Sequence, residues 1–178
     1  MMHVGTKEIK TKRLVLRKFR LDDAQNMFNN WANDERVTKF LSWKPHENID
    51  LTRKILSEWI ENYQKTDYYN WCIEMDNMPV GNICVVEINN EINGAELGYC
   101  LGYNWWGQGI MPEAMSAVVD FLLNNTEIKQ VYAGHNIDNQ KSGNVLKKCG
   151  FVLDDSLLNI ERFKKIGYEI ITYSYKLN

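Results

Sequence analysis

Residues 106 to 113 read Trp-Gly-Gln-Gly-Ile-Met-Pro-Glu and lie between a strand-like run and a helix-like one. Gly107 and Gly109 let the backbone turn successive N–H groups toward one point, and Pro112 is preset for the first position of a helix. A helix N-terminus offers orphan N–H donors and about half a positive charge. Trp106, Gly107, Gln108, Gly109, Ile110 and Met111 can therefore cradle a phosphate or pyrophosphate without a lysine. An ordinary strand-to-helix turn is assembled from the same residue types, and the loop alone leaves both readings open. Spacing excludes two other phosphate loops. No Gly-x-x-x-x-Gly-Lys-Ser/Thr run occurs, and Gly-x-Gly-x-x-Gly fails because Pro112 stands three past Gly109.

Such a loop needs a sheet behind it. Residues 13–17 alternate as a half-buried strand, and Ala24, Met27, Phe28 and Trp31 recur at helical spacing after Asp22 and Asp23. A second helix is predicted over 49–64, with Ile55, Leu56, Trp59, Ile60 and Tyr63 on one face. Residues 69–75 and 80–88 form a hairpin about Asp76-Asn77-Met78-Pro79, and a third run covers 95–101, so three antiparallel strands precede the loop. The helix after it carries Ala114, Ala117, Val118, Phe121 and Leu122 as its apolar face. A strand over 130–135, a helix over 139–149 ended by Gly150, a short run at 151–154 and a closing hairpin of 157–164 and 168–176 about Gly167 complete the order. This is an α+β (α/β mixed sheet) arrangement with helices on the sheet faces, expected as a single domain over 1–178.

The chain has 178 residues and a formal charge of −2, with its basic residues dispersed, which argues against a nucleic-acid partner. No apolar run approaches the ~18 residues of a membrane span, and residues 1–12 lack the apolar centre of a signal peptide. A cytoplasmic protein with no membrane partner is expected. Cys72, Cys84, Cys100 and Cys149 lie far apart without a Cys-x-x-Cys, so free buried thiols are expected. His3, His46 and His135 are equally scattered, so no metal is implied.

A second segment carries comparable information. From Asn136 to Phe151 the chain joins strand to helix to strand, with Asn139 suited to the N-cap and Gly150 to the residue after the helix. Asn139, Ser142, Val145, Leu146, Lys148, Gly150 and Phe151 match Asn-x-x-Ser-x-x-Val-Leu-x-Lys-x-Gly-Phe, and the loop from Trp106 to Ala114 matches Trp-Gly-Lys-Gly-Tyr/Ile-Ala/Met-Thr/Pro-Glu-Ala. With 11–17 and Trp31-x-Asn33-Asp34-Glu35-x-Val37, these resemble the GCN5-related N-acetyltransferase (GNAT) superfamily, in its RimJ/RimL ribosomal-protein alanine N-acetyltransferase branch. Trp106 departs from the wider superfamily's Arg or Gln, and Met111 from its Gly or Ala, which puts side-chain contacts to phosphate in doubt but not backbone ones.

The resemblance implies a splayed, mostly antiparallel sheet flanked by about four helices, and acetyl transfer from acetyl-CoA to a primary amine by direct attack. The acceptor it implies is a protein or peptide N-terminus. A small amine (polyamine, aminoglycoside or amino acid) and a non-catalytic CoA sensor are the alternatives. The branch also suggests a homodimer. On this reading 107–111 bind the pyrophosphate, the strand edge at Cys100 and Leu101 pairs with the pantetheine amides, and Asn139 touches the pantetheine arm. Gly98 and Gly102 would frame a bulge that splays the strand. The superfamily tyrosine seven past the Asn is here Leu146, so Ser142, three past it, is read as the hydrogen-bond donor toward the sulfur. Glu161, ten past Phe151, is read as the base on a strand facing the cleft, with Glu113 and Glu96 as rivals. Trp31, Trp43, Trp105 and Trp106 either wall the acceptor site or fill the core.

Overall fold

The computed structural model describes residues 1–176. Its sheet has eight strands in the order β1 (Ile9–Lys10), β2 (Leu14–Arg17), β3 (Asn70–Met75), β4 (Met78–Asn89), β5 (Gly94–Leu101), β6 (Gln130–Asn136), β8 (Ile170–Lys176) and β7 (Val152–Leu153). Every neighbouring pair is antiparallel except β5 with β6. Asp76 and Asn77 adopt positive φ (51° and 62°), the two-residue turn whose twist matches the β3–β4 hairpin.

Helices cover both faces. On one lie α1 (Ala24–Met27), continued by a wide turn at Phe28–Ala32, then α2 (Glu35–Thr38) and α3 (Ile49–Asn62). Trp31, Met27 and Leu56 bury there with Cys72 and Cys100 of the sheet. Arg17 ties this layer down: its guanidinium grips Asp23 with two bonds of 2.8 Å and reaches Glu74 at 2.6 Å, all in the interior. The other face holds α4 (Ile110–Asn125) and α5 (Gln140–Lys148). The buried stripe of α4 is wider than its spacing predicts. Ile110, Met111, Ala114, Met115, Val118, Val119, Leu122 and Leu123 are all buried, whereas Ala117 and Phe121 are only half-buried, because the sheet and α5 cover adjacent flanks. Each large side chain so buried is worth about 1.5–3 kcal/mol.

One expected element is wrong. Residues 157–164 are not a strand: a 3-10 turn over Asp155–Asn159 leads into the short helix α6 (Glu161–Lys164), and β8 pairs with β6 and β7 instead. Leu157, Ile160, Phe163 and Ile166 recur every three residues and pack with Tyr132 of β6, a helical period that the apolar content of the run conceals.

The feature that shapes the site is in β4. The register with β5 slips between Val85 and Glu87, so Val86 is an extra residue opposite Glu96 and Leu97. The bulge is therefore in β4, and Gly98 makes room for it: a Cβ on Gly98 would lie 2.6 Å from Val86 Cγ2. Gly98→Ala should cost about 1–3 kcal/mol, because a β-branched neighbour cannot rotate away freely, and urea unfolding will measure the loss.

Candidate active site

Strands β5 and β6 pair in parallel only at Gly94↔Gln130, Ala95↔Val131 and Glu96↔Tyr132. Beyond these rungs the strands part, and residues 133–136 of β6 continue on β8 alone. Main-chain groups alternate between the two edges of a strand. Gly102 N donates to Val80 O at 2.8 Å, so Cys100 and Gly98 also face β4, and Leu97, Tyr99 and Leu101 turn their amides into the fork. Cys100 thus departs from its expected role. Its main chain belongs to the β4 ladder, its thiol contacts Asn82 Oδ1 at 3.0 Å, and burial pushes that thiol up to about 12. The open edge is Tyr99 and Leu101, and the Leu101 carbonyl already accepts the Trp106 indole N–H at 2.7 Å.

The glycine loop lies at the end of this fork. Gly107 and Gly109 take φ of 77° and 73°, and residues 107–109 are exposed. Among the described residues, the N–H groups of Gly107, Gln108, Gly109, Ile110 and Met111 donate to no backbone or side-chain acceptor, which leaves a cluster of donors at the start of α4. Arg13 braces the loop from below, through Nη1 to the Gln108 carbonyl at 2.9 Å and Nε to Glu113 at 2.7 Å. Glu113 also accepts from Thr11 and from the Arg13 main chain. Burial would raise its carboxyl, but these hydrogen bonds win and hold it below the usual range, so Glu113 is a strut and no base. Lys141 Nζ sits 4.5 Å from the Trp106 ring centre, bringing a cation to the loop from α5.

Asn139 caps α5 as expected, its Oδ1 accepting from Ser142 N at 3.3 Å, and its NH₂ end can donate to a further partner. Leu146 is fully buried in the core. Ser142, half-buried in the first turn, has a partner that sequence reasoning missed: its Oγ is 2.7 Å from the Tyr99 hydroxyl, which reaches across from β5.

The carboxylates sort by environment. Glu87, Glu96 and Tyr132 are register partners across β4, β5 and β6, in one row at the crotch of the fork. Arg162 Nε lies 2.7 Å from Glu96 Oε2 as an ion contact without good hydrogen-bond alignment. Among the described residues, Glu87 Oε2, Glu96 Oε2 and the Tyr132 hydroxyl are buried with no aligned hydrogen-bond partner. Burial pushes the Glu96 carboxyl up to about 7, against the pull of Arg162. Glu161 differs from expectation. It lies on α6 rather than a strand, its side chain is 72% exposed, and it pairs with Lys165 at 3.2 Å. It rims a groove of about 670 Å³ whose lining includes Ser42, Val86, Glu87, Arg162 and Tyr168. Of the four tryptophans, Trp31 is wholly buried core, while Trp43, Trp105 and Trp106 are half-buried.

The sheet is thus forked beside an αL-glycine loop, with open main-chain edges and a buried carboxylate at the crotch. The chain belongs to the acetyltransferase (GNAT) domain family, whose pattern matches residues 13–152. It is 26% identical over 170 residues to the N-acetyltransferase p20 of Bacillus licheniformis, covering 94% of this chain and 93% of that one. It is 27% identical over 153 residues to the [ribosomal protein uS5]-alanine N-acetyltransferase of Escherichia coli, covering 79% and 76%. The fold superposes on that of RimL, the ribosomal L7/L12 α-N-protein acetyltransferase solved with coenzyme A, with a TM-score of 0.81 at 20% identity over 96% and 98% of the two chains. No helix among the described residues is long and apolar enough to cross a membrane.

Gly109→Ala tests the loop. A side chain at φ of 73° costs about 1–2 kcal/mol in the left-handed region, so the loop should relax and its amides diverge. Calorimetry should show coenzyme A binding weakened about tenfold, at an unfolding temperature within a few degrees of the parent.

Proposed function

We propose that this acetyltransferase moves the acetyl group of acetyl-CoA onto the α-amino group at the N-terminus of a protein or peptide, in the cytoplasm. The observation that carries the reading is Glu96, a buried carboxyl near neutrality at the crotch of the fork, with Glu87 of its row lining the outer groove. A model α-amino group titrates near ~8 and a lysine near ~10.4, so a base near 7 is matched to the first far better than to the second. The ribosomal-protein alanine activity named for the Escherichia coli relative supports the same acceptor class.

On this reading the free amides of 107–111 hold the pyrophosphate, and the open edge of Tyr99 and Leu101 holds the pantetheine. Asn139 contacts the arm through its NH₂ end, and Ser142 donates toward the sulfur. The acceptor enters along the Val86–Glu87 bulge, where Glu161 on the rim attracts its ammonium. The ammonium gives one proton to solvent as it leaves the rim, so that a neutral amine reaches the thioester. Glu96 takes the second proton as nitrogen attacks the carbonyl, the C–S bond then breaks, and the electron pair leaves on sulfur. The base assignment therefore passes from Glu161 to Glu96, and Glu161 becomes an acceptor-binding residue. No acetyl-cysteine intermediate is needed. Burial raises all four thiols above their ordinary range, Cys84 to about 11 and Cys100 to about 12, so none is a ready nucleophile.

A thiol-release assay with acetyl-CoA and Ala- or Ser-starting peptides, polyamines and aminoglycosides tests the acceptor, and turnover confined to the small amines would overturn it. Glu96 must be ionised to act, so kcat/KM should climb with pH through about 7. Glu96→Gln should cost about 10²–10⁴ in kcat and abolish that limb, whereas Glu161→Gln should raise the acceptor KM with little change in kcat.

Stability should run the other way. The raised carboxyl of Glu96 favours the fold when protonated, a contribution complete below about 4.5 and lost as pH rises through about 7. Glu96→Gln should therefore melt higher than the parent at pH 8, in a calorimetric scan.

A further inference from the structure

Tyr99 sits where the open edge of β5 meets α5. It belongs to the three residues, Leu97, Tyr99 and Leu101, whose main chain turns into the fork, and its side chain spans to the first turn of α5. Its hydroxyl lies 2.7 Å from Ser142 Oγ and 3.2 Å from the Ser142 carbonyl. A phenol has one proton and a serine hydroxyl has one, so two arrangements compete. If Tyr99 donates to the carbonyl, Ser142 donates to Tyr99 and has nothing left for a ligand. If Tyr99 donates to Oγ, the Ser142 proton is available to another acceptor.

We infer that Tyr99 is a positioning residue for thiolate departure: its O–H donates to Ser142 Oγ and thereby turns the Ser142 O–H toward the sulfur that leaves in the fork. This rests on the proposed cofactor placement and extends it. Both hydroxyls keep their protons. The C–S bond pair goes to sulfur, the thiolate leaves as a hydrogen-bonded anion, and the amine's proton stays on Glu96. A second neutral donor behind the first polarises it, which strengthens the bond Ser142 can make to an anion. Leu146 of the same helix is buried and apolar and offers no such donor. Other titratable side chains near the phenol are Cys149 and Tyr173. Burial keeps Tyr99 protonated across the neutral range, with the Ser142 hydrogen bond opposing it only in part.

Tyr99→Phe keeps the ring and removes the hydroxyl. With the best acceptor found, it should lower kcat about tenfold while leaving the acetyl-CoA KM within about twofold. Ser142→Ala should do the same. The double variant should be no worse than either single one, because the two hydroxyls act as one donor chain. Losses that multiply would overturn the inference, since a merely structural tyrosine adds its cost independently. A second measurement needs no acceptor: the thiolate absorbance of coenzyme A bound to the protein, followed against pH. The bound thiol should ionise at lower pH on the parent than on Tyr99→Phe. Equal titration on the two would overturn the role of Tyr99 alone, whereas failure of coenzyme A to bind the parent would overturn the cofactor placement and with it this inference.

Discussion

A sheet cannot leave strand edges unpaired in its middle at no cost, and this one does so between β5 and β6, where three parallel rungs hold and then the strands diverge. Much of the site answers that constraint. The Val86 bulge bends β4, Gly98 gives it room, and the indole of Trp106 satisfies the carbonyl that ends the open edge. What stays open is a short row of amides of the kind an extended ligand with its own amides can complete. The glycine loop continues the same logic, since among the described residues its N–H groups donate to no backbone or side-chain acceptor. Two sets of unmet donors, one in the sheet and one at a helix start, make a single track.

The same residue type does three jobs because its surroundings differ. Glu113 is fixed by Thr11 and Arg13 and kept ionised, bracing the loop. Glu161 stands exposed on α6, paired with Lys165. Burial raises the Glu96 carboxyl, and the like charge of its ladder partner Glu87 adds a smaller push in the same direction. That placement costs stability in the ionised form. The interior Arg17 pair with Asp23 and Glu74, and the broad apolar stripe of α4, supply the rigidity against which such a group is held.

Local pattern sufficed where local physics decides. The turn at Asp76–Asn77 and the N-cap at Asn139 follow from torsions and capping within a few residues, and both are found where the spacing puts them. The start of α4 is not: the helix begins at Ile110, before Pro112, because Gly109 in the left-handed region already turns the chain into it. The region from 157 to 166 was misread too. Its apolar residues suit a strand by composition, but their period of three fits turns that pack on Tyr132, and composition says nothing about which partner is in reach. Cys100 was misassigned because the side of a strand that carries free amides depends on which neighbour pairs first.

The amino-acid sequence by itself determined the glycine turn before α4, the capped helix that follows β6, the mixed sheet and the family. These rest on residues that are neighbours along the chain, where spacing translates directly into geometry. Only the tertiary structure decided which carboxylate is buried at the fork and which hydroxyl stands behind Ser142. Glu96 meets Arg162, and Tyr99 meets Ser142 43 residues away, because strands β4, β5 and β6 bring distant segments into register. Desolvation, which raises Glu96 and leaves Glu161 to the solvent, is a property of what packs around a group and has no counterpart in residue order.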